Sequence, residues 1–355
     1  MRRCRLLRRA SSVTARQALV QPPPLTNASA AAFQLISWNV NGLRAPGRID
    51  GLRRLAAEHR PDLIVLQESK LQTQHCEPMR ETLASELPDY DAWFYSSIAR
   101  KGYAGSVALV RSDDGGRGAD DDAVVAVSHA EAAHSATLCP ERTTPAAPLR
   151  RVTFGCGEDE SDVEGRCLTL EYESFVVVAL YVPNSGAKLA RLSYRITVWD
   201  TRLATHVAEV ERTTGKPVVV TGDLNVAHRE VDIHNHWASH VAKQAGCTAA
   251  ERESFGKWLD SSDRVDVHRA MHGDAAAQYT YWSTRARGKA TNKGLRLDYF
   301  VAPAAMLCSD NVKEESLAPP FIHAVDILHD GFGGANTKGS VSPSDHCPIT
   351  LTLRV

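Results

Sequence analysis

Five polar clusters in this sequence follow apolar, strand-like runs: Asn39 with Asn41, Glu68 with Lys70, Tyr181 with Asn184, Asp223 with Asn225, and Asp298 together with Asp345 and His346. Together they offer carboxylates, amides, a phenol and an imidazole, and no thiol. Oxygen donors of this kind suit a hard cation, Mg2+ or Mn2+, better than zinc. A hard cation held by one or two carboxylates commonly takes a phosphate as well. The reaction such a set can carry is phosphodiester hydrolysis. That reaction needs an in-line nucleophile, neutralised phosphate oxygens and a stabilised leaving alkoxide.

The elements that must position these groups are legible around them. Pro217 to Thr221 is a β-branched run that reads as a buried strand, closed by Gly222. Asp223 and Asn225, two residues apart, then point the same way from its end. Further strands are expected at 33–39, 63–66, 105–111, 123–128, 167–173, 175–182, 297–301 and 347–354. Helices are expected at 48–59, 77–87 and 188–213, and from Thr248, where Thr248-Ala249-Ala250-Glu251 fits a capping box. Hairpins and interspersed helices together predict an α/β sandwich with mixed sheets. Residues 112–150 and 318–340 read as surface insertions in one catalytic domain over 31–355.

The chain has 355 residues, 43% hydrophobic and 23% charged, with a formal net charge of −1. No global basic field therefore advertises a polyanionic partner. The sum conceals an asymmetry. Arg2, Arg3, Arg5, Arg8, Arg9 and Arg16 lie ahead of the first acid, Asp50, and without them the chain carries 35 basic against 42 acidic residues. Residues 1–30 read as a disordered address: a mitochondrial presequence or a basic nuclear-import patch, so nucleus and/or mitochondrion is expected. The eight cysteines form no C-x-x-C pair, and Cys167, Cys308 and Cys347 sit in or beside apolar runs, as buried reduced thiols do. No apolar stretch approaches the ~20 residues that span a bilayer.

The motifs carry a resemblance. Trp38-Asn39-Val40-Asn41-Gly42-Leu43-Arg44-Ala45, Leu66-Gln67-Glu68-Ser69-Lys70, Tyr181-Val182-Pro183-Asn184-Ser185-Gly186, Gly222-Asp223-Leu224-Asn225-Val226-Ala227-His228, Arg296-Leu297-Asp298-Tyr299-Phe300 and Ser344-Asp345-His346-Cys347-Pro348-Ile349 occur in that order over about residues 33–355. This set resembles the exonuclease III class of apurinic/apyrimidinic (AP) endonucleases, within the endonuclease/exonuclease/phosphatase superfamily. The resemblance implies a four-layer α/β sandwich, deoxyribonuclease I-like, with two mixed β-sheets flanked by helices. It implies cleavage 5′ to an abasic site in double-stranded DNA by a monomer, leaving room for 3′-phosphodiesterase and 3′→5′ exonuclease activity.

The resemblance also implies roles. Glu68 would be the main metal carboxylate, with Asn39, Asn41 and Asp345 around Mg2+ or Mn2+, and Asp223, Asn225 and His346 in the wider ligand set. Asp223 would orient or deprotonate the attacking water. Asn225, Asn184 and His346 would hold phosphate oxygens, Asp298 would orient His346, and Tyr181 would contact the phosphate or assist the leaving oxygen. Arg44, Lys70, Tyr103, Arg195, Tyr281, Trp282, Arg285 and Leu295 would contact DNA. The sugar pocket maps to Tyr281, Trp282 and Leu295, beside a basic stripe of Arg285, Arg287, Lys289, Lys293 and Arg296. At Asn41 the chain follows the bacterial pattern, where vertebrate enzymes have an acid. The two positions that wedge DNA in the vertebrate enzymes are Ala187 and Arg285 here. The other readings of the motifs are a superfamily phosphoesterase on RNA, nucleotide or lipid, and a DNA-binding module without catalysis.

Overall fold

The computed structural model describes residues 31–112, 146–156, 163–284, 287–307, 320–332 and 344–355, and the backbone of 137–143. The N-terminal address, Arg285, Cys308, the strand expected at 123–128, most of the stretch 112–150 and residues 318–319 and 333–340 lie outside the described residues. Among the described residues no helix is long and apolar enough to cross a membrane.

Two sheets form the centre. The first runs β12-β13-β1-β2-β4-β3, built from β1 (Ala32–Asn39), β2 (Leu63–Gln67), β3 (Tyr90–Tyr95), β4 (Ser106–Arg111), β12 (Phe321–Ile327) and β13 (Ile349–Arg354). The second runs β10-β11-β9-β8-β7-β6-β5, built from β5 (Thr137–Thr143), β6 (Pro148–Phe154), β7 (Cys167–Tyr172), β8 (Val176–Tyr181), β9 (Val218–Asp223), β10 (Arg264–Asp266) and β11 (Asp298–Pro303). Each sheet holds one parallel pair, β1 with β2 and β8 with β9, and is otherwise antiparallel. The mixed-sheet sandwich is therefore the observed architecture.

Alternation along β8 and β9 explains their unbroken apolar sequences. Val177, Ala179 and Val219 enter the core between the sheets, with Trp38, Leu66 and Phe300. Their neighbours Val176, Val178, Leu180, Val218 and Val220 face the other way. There they meet Leu203 and Val207 of α3 (Asp200–Thr214) and Phe255 and Leu259 of α4 (Ala249–Ser261). A strand covered on both faces has no polar face to show. On the first sheet, α1 (Arg48–His59) and α2 (Thr73–Glu86) bury Leu52, Leu55, Cys76, Met79 and Leu83. Layers of helix, sheet, sheet and helix result.

Several expectations need correction. The stretch read as an insertion at 318–340 contains β12, an edge strand whose one buried face gives it a mixed composition. The stretch at 112–150 contains β5 and the start of β6. β3 was not expected, although Tyr90, Trp93, Phe94 and Tyr95 are residues a half-buried strand favours. The helix expected at 188–213 begins with a single turn, Leu192–Tyr194, then a π-turn, Arg195–Trp199, before α3. The expected capping box at Thr248 is present, with Glu251 accepting from the Thr248 backbone N–H at 3.1 Å.

Gly222 shows how tightly the second sheet is built. Its φ is 135°, and a Cβ there would lie 1.9 Å from the Leu180 carbonyl oxygen on β8. Gly222→Ala is expected to lower unfolding free energy by about 2–3 kcal/mol, since the strained backbone and the clash act together. Urea unfolding of the variant checks this; unchanged stability refutes it.

Candidate active site

The clusters converge where strand ends of the two sheets meet. Tyr181 on β8 pairs in register with Asp223 on β9, which pairs on its other side with Asp298 on β11. Asn39 and Gln67 end the neighbouring strands β1 and β2, and Glu68 follows. The chain must then turn sharply. Asn41, Glu68, Lys70 and Asn225 all take positive φ, between 49° and 55°, in the left-handed region that such residues seldom adopt. Strain of this kind persists where surrounding structure dictates it.

Asp223 is held from several sides. Its Oδ1 accepts from the Asn225 backbone N–H at 2.8 Å, and its Oδ2 from the Asn39 amide at 2.9 Å. His346 Nε2 lies 3.8 Å from Oδ2, while His346 Nδ1 lies 2.8 Å from Asp298 Oδ2. The Asn184 amide donates to Asn225 Oδ1 at 2.8 Å, and the Asn225 amide donates to the Val182 carbonyl at 2.9 Å. Burial pushes the Asp223 carboxyl up to about 7; the His346 ring opposes this and Asp298 adds to it. Burial works against a charged His346, but Asp298 and Asp223 outweigh it and push the ring up to about 10. The Asp223 carboxyl is thus poised near neutrality beside an imidazole held protonated.

Next to this pair is a second cluster. The Lys70 ammonium lies 3.0 Å from Glu68 Oε2 and also bonds Asn41 Oδ1. The Asn41 amide donates to Asp345 Oδ1 at 2.9 Å. Although burial works the other way, Lys70 and the Asn39 amide hold the Glu68 carboxyl below its ordinary range. Tyr181 is hydrogen-bonded to Glu68, and burial keeps its phenol protonated well above the usual range, so it acts as a donor.

The structure separates the expected ligands into two groups. Glu68 and Asn41 present hard oxygens that already hold the Lys70 ammonium, and Asp345 is joined to them through the Asn41 amide, so the donor set fits a divalent cation. Asn39 does not belong with them. It turns its amide N–H to Glu68 at 3.1 Å and Asp223 at 2.9 Å, and its carbonyl accepts from the Asn41 N–H at 3.0 Å, so it is a strut between carboxylates. Asp223, Asn225 and a protonated His346 are engaged with one another.

The expected DNA contacts also divide. Arg44 is exposed, Tyr103 is partly exposed, and the Tyr281 ring packs 5.0 Å from His346. Arg195 is a correction: it is 2% exposed, and its guanidinium donates to the Leu224 carbonyl at 2.6 Å and to that of Asn225. It braces the loop that carries Asn225. Trp282, fully buried, donates to Asn292 Oδ1 at 2.9 Å. Leu295 packs with Ala227, Ile233, Val241, Cys247 and Leu297. Of the expected pocket, only Tyr281 faces the site. The basic stripe is dispersed as well. Arg296 is buried between Asp232 and Asp266, and Lys289 turns inward to the Phe332 carbonyl at 2.7 Å and the Ser344 carbonyl.

Two supporting residues carry no motif. Arg166, 1% exposed, lies 4.5 Å over the Tyr181 ring and donates to the Tyr181 carbonyl and to the Tyr103 hydroxyl, both at 2.8 Å. Glu164 ties Arg166 to Arg191 at 2.6 and 3.1 Å. Their one signal in the sequence is a charged pair leading into an apolar strand.

A profile of the endonuclease/exonuclease/phosphatase family matches residues 36–346. The chain belongs to that family. A Bacillus subtilis exodeoxyribonuclease is 32% identical, covering 91% of this chain and 100% of the relative. Danio rerio DNA repair nuclease APEX1 is also 32% identical, over 92% of this chain and 84% of its own. The crystal structure of the AP endonuclease LMAP from Leishmania major has a TM-score of 0.64 and 24% identity, covering 91% of this chain and 88% of that one. In the family frame, every polar cluster described above falls inside the matched span.

Proposed function

We propose that this chain is a DNA-repair nuclease that hydrolyses the phosphodiester 5′ to an abasic site in double-stranded DNA. The observation that carries the reading is the side-by-side placement of a poised acceptor, Asp223, and a hard-cation cluster, Glu68 with Asn41 and Asp345. The likeness to an exodeoxyribonuclease and to a DNA repair nuclease supports DNA as the substrate.

In this reading Asp223 takes a proton from the attacking water as its oxygen adds to phosphorus. The bond to the 3′ oxygen breaks, leaving a 3′-OH and a 5′-deoxyribose phosphate. His346, Asn225 and Asn184 donate to the phosphate oxygens, and Asp298 keeps the His346 ring turned toward them. Tyr181 supplies a further proton donor beside Glu68. Bound at Glu68, Asn41 and Asp345, Mg2+ or Mn2+ would neutralise phosphate charge and stabilise the leaving oxygen. One site that acts within a strand also reaches a terminus, which supports 3′-phosphodiesterase and 3′→5′ exonuclease activities. A monomer suffices, because one chain supplies every group named.

An oligonucleotide duplex with a single abasic site tests the reading. Nicking is expected with Mg2+ and none in excess EDTA. Full activity in EDTA overturns the cation assignment. No nicking with Mg2+, but cleavage of an RNA, nucleotide or lipid phosphoester, overturns the substrate.

The acid-free, Arg-rich residues 1–30 support a separate role as an organelle address, mitochondrial or nuclear. Deleting them is expected to leave nicking intact and redistribute the protein in cells. A truncation that keeps its compartment and loses activity contradicts this.

A further inference from the structure

The nuclease centre uses no sulfur, yet two thiols and an imidazole meet elsewhere. We propose that Cys156, Cys167 and His206 form a second metal site that takes one thiophilic d10 cation, Zn2+ or Cu+. Cys156 follows β6, Cys167 opens β7, and His206 lies on α3, so three separate elements supply the set. One ligand atom from each lies within 4.8 Å of the other two. Around a shared ion with bonds of about 2.0–2.3 Å, these atoms need to close by only about an ångström.

The surroundings suit such an ion. Cys156 and Cys167 are 3% and 0% exposed, carry no disulfide, and belong to the apolar cluster between the second sheet and α3. His206 is partly exposed and leaves a path of entry. Cys167 is fixed by its carbonyl, which accepts from the Gly155 N–H at 2.9 Å. The Thr169 hydroxyl lies 2.9 Å from His206 Nε2 and sets the ring's rotation, as partners of ligating histidines do. Ligand softness sorts the two sites: oxygen at the nuclease centre for Mg2+ or Mn2+, sulfur and nitrogen here. An ion at this place ties α3 to the β6–β7 hairpin.

The test uses the full chain, reduced and stripped of metal, with excess Mg2+ present throughout. It is titrated with Zn2+ alone or Cu+ alone, and separately with Co2+ as a spectroscopic probe. One equivalent of Zn2+ or Cu+ is expected to bind, and whichever binds more tightly names the ion. Co2+ is expected to give a thiolate charge-transfer band, and the tighter ion to raise Tm by about 5 °C at 100 times Kd. Cys156→Ser and His206→Phe are each expected to weaken binding at least ~10²-fold, beyond what loss of an outer partner such as Thr169 does. In the wild type, the ion is expected to protect Cys156 and Cys167 from alkylation, a readout that needs no variant. Failure of both ions to bind overturns the proposal. So does an equivalent whose Co2+ band and affinity are unchanged in both variants, or an ion that leaves both thiols open to alkylation.

Discussion

Asp223→Asn is expected to lower kcat for abasic-site nicking by at least ~10²-fold, with far smaller change in DNA affinity. The amide keeps the side chain's shape and part of its contact with Asn39 and Asn225. It cannot take the proton. His346→Asn is expected to cost a similar factor, because it removes the donor that Asp298 orients at 2.8 Å. The two residues act on one another across 3.8 Å. Groups that act as a unit lose most of their effect on the first substitution, so the double variant should fall little below either single one. Single-turnover rates at saturating enzyme, with binding measured separately, decide this. Near-normal kcat in Asp223→Asn removes it from the proton-accepting role, and strict additivity removes the coupling.

Asp232→Ala is expected to destabilise the fold by about 3–5 kcal/mol, the range for breaking a buried ion pair from one side. Asp232 is fully buried and bonded to Arg269 at 2.6 Å and Arg296 at 2.7 Å, while Arg296 also holds Asp266. Without Asp232, one buried guanidinium is left without its carboxylate and the other keeps only Asp266. The same cluster sets an acid limit. Burial raises the Asp232 carboxyl, but the two guanidinium groups outweigh it and hold it down to about 2. A carboxyl lowered on folding stabilises fully above its unfolded pKa of about 4, and that contribution is lost as pH falls from there through about 2. Urea unfolding at pH 7 and pH 3 should show wild type losing more stability than Asp232→Ala over that interval. Equal losses refute the assignment.

The same cluster shows why some of the site was hidden in the sequence. Arg296, Lys289 and Lys293 lie close together along the chain and read as a surface stripe. Charge spacing carries no information on which side chain turns inward, and Arg296 turns inward because Asp232, 64 residues away, meets it there. Arg195 fails as a DNA contact for a similar reason: the carbonyls it bonds belong to Leu224 and Asn225. Leu295 pairs with Tyr281 across the backbone and Trp282 follows it in the chain, yet both side chains are buried, Leu295 against Ile233 and Leu297 and Trp282 against Asn292.

What the sequence by itself determined is the set of strand-end motifs, their order, the mixed-sheet sandwich and the hard-oxygen chemistry. Those follow from local rules: β-branched runs make buried strands, a glycine ends one, and polar groups follow. What only the tertiary structure decided is the division of labour. Asn39, Asn41, Glu68, Asp223, Asp298, Asp345 and His346 come from both sheets, and only their packing shows which oxygens gather beside Lys70 and which engage one another. It also shows that Asn39 is a strut, that Arg166 underlies Tyr181, and that Cys156, Cys167 and His206 meet. Each of these depends on contacts between residues from separate segments of the chain. Burial and direction at such contacts are set by where whole elements pack, and no short window of sequence records that.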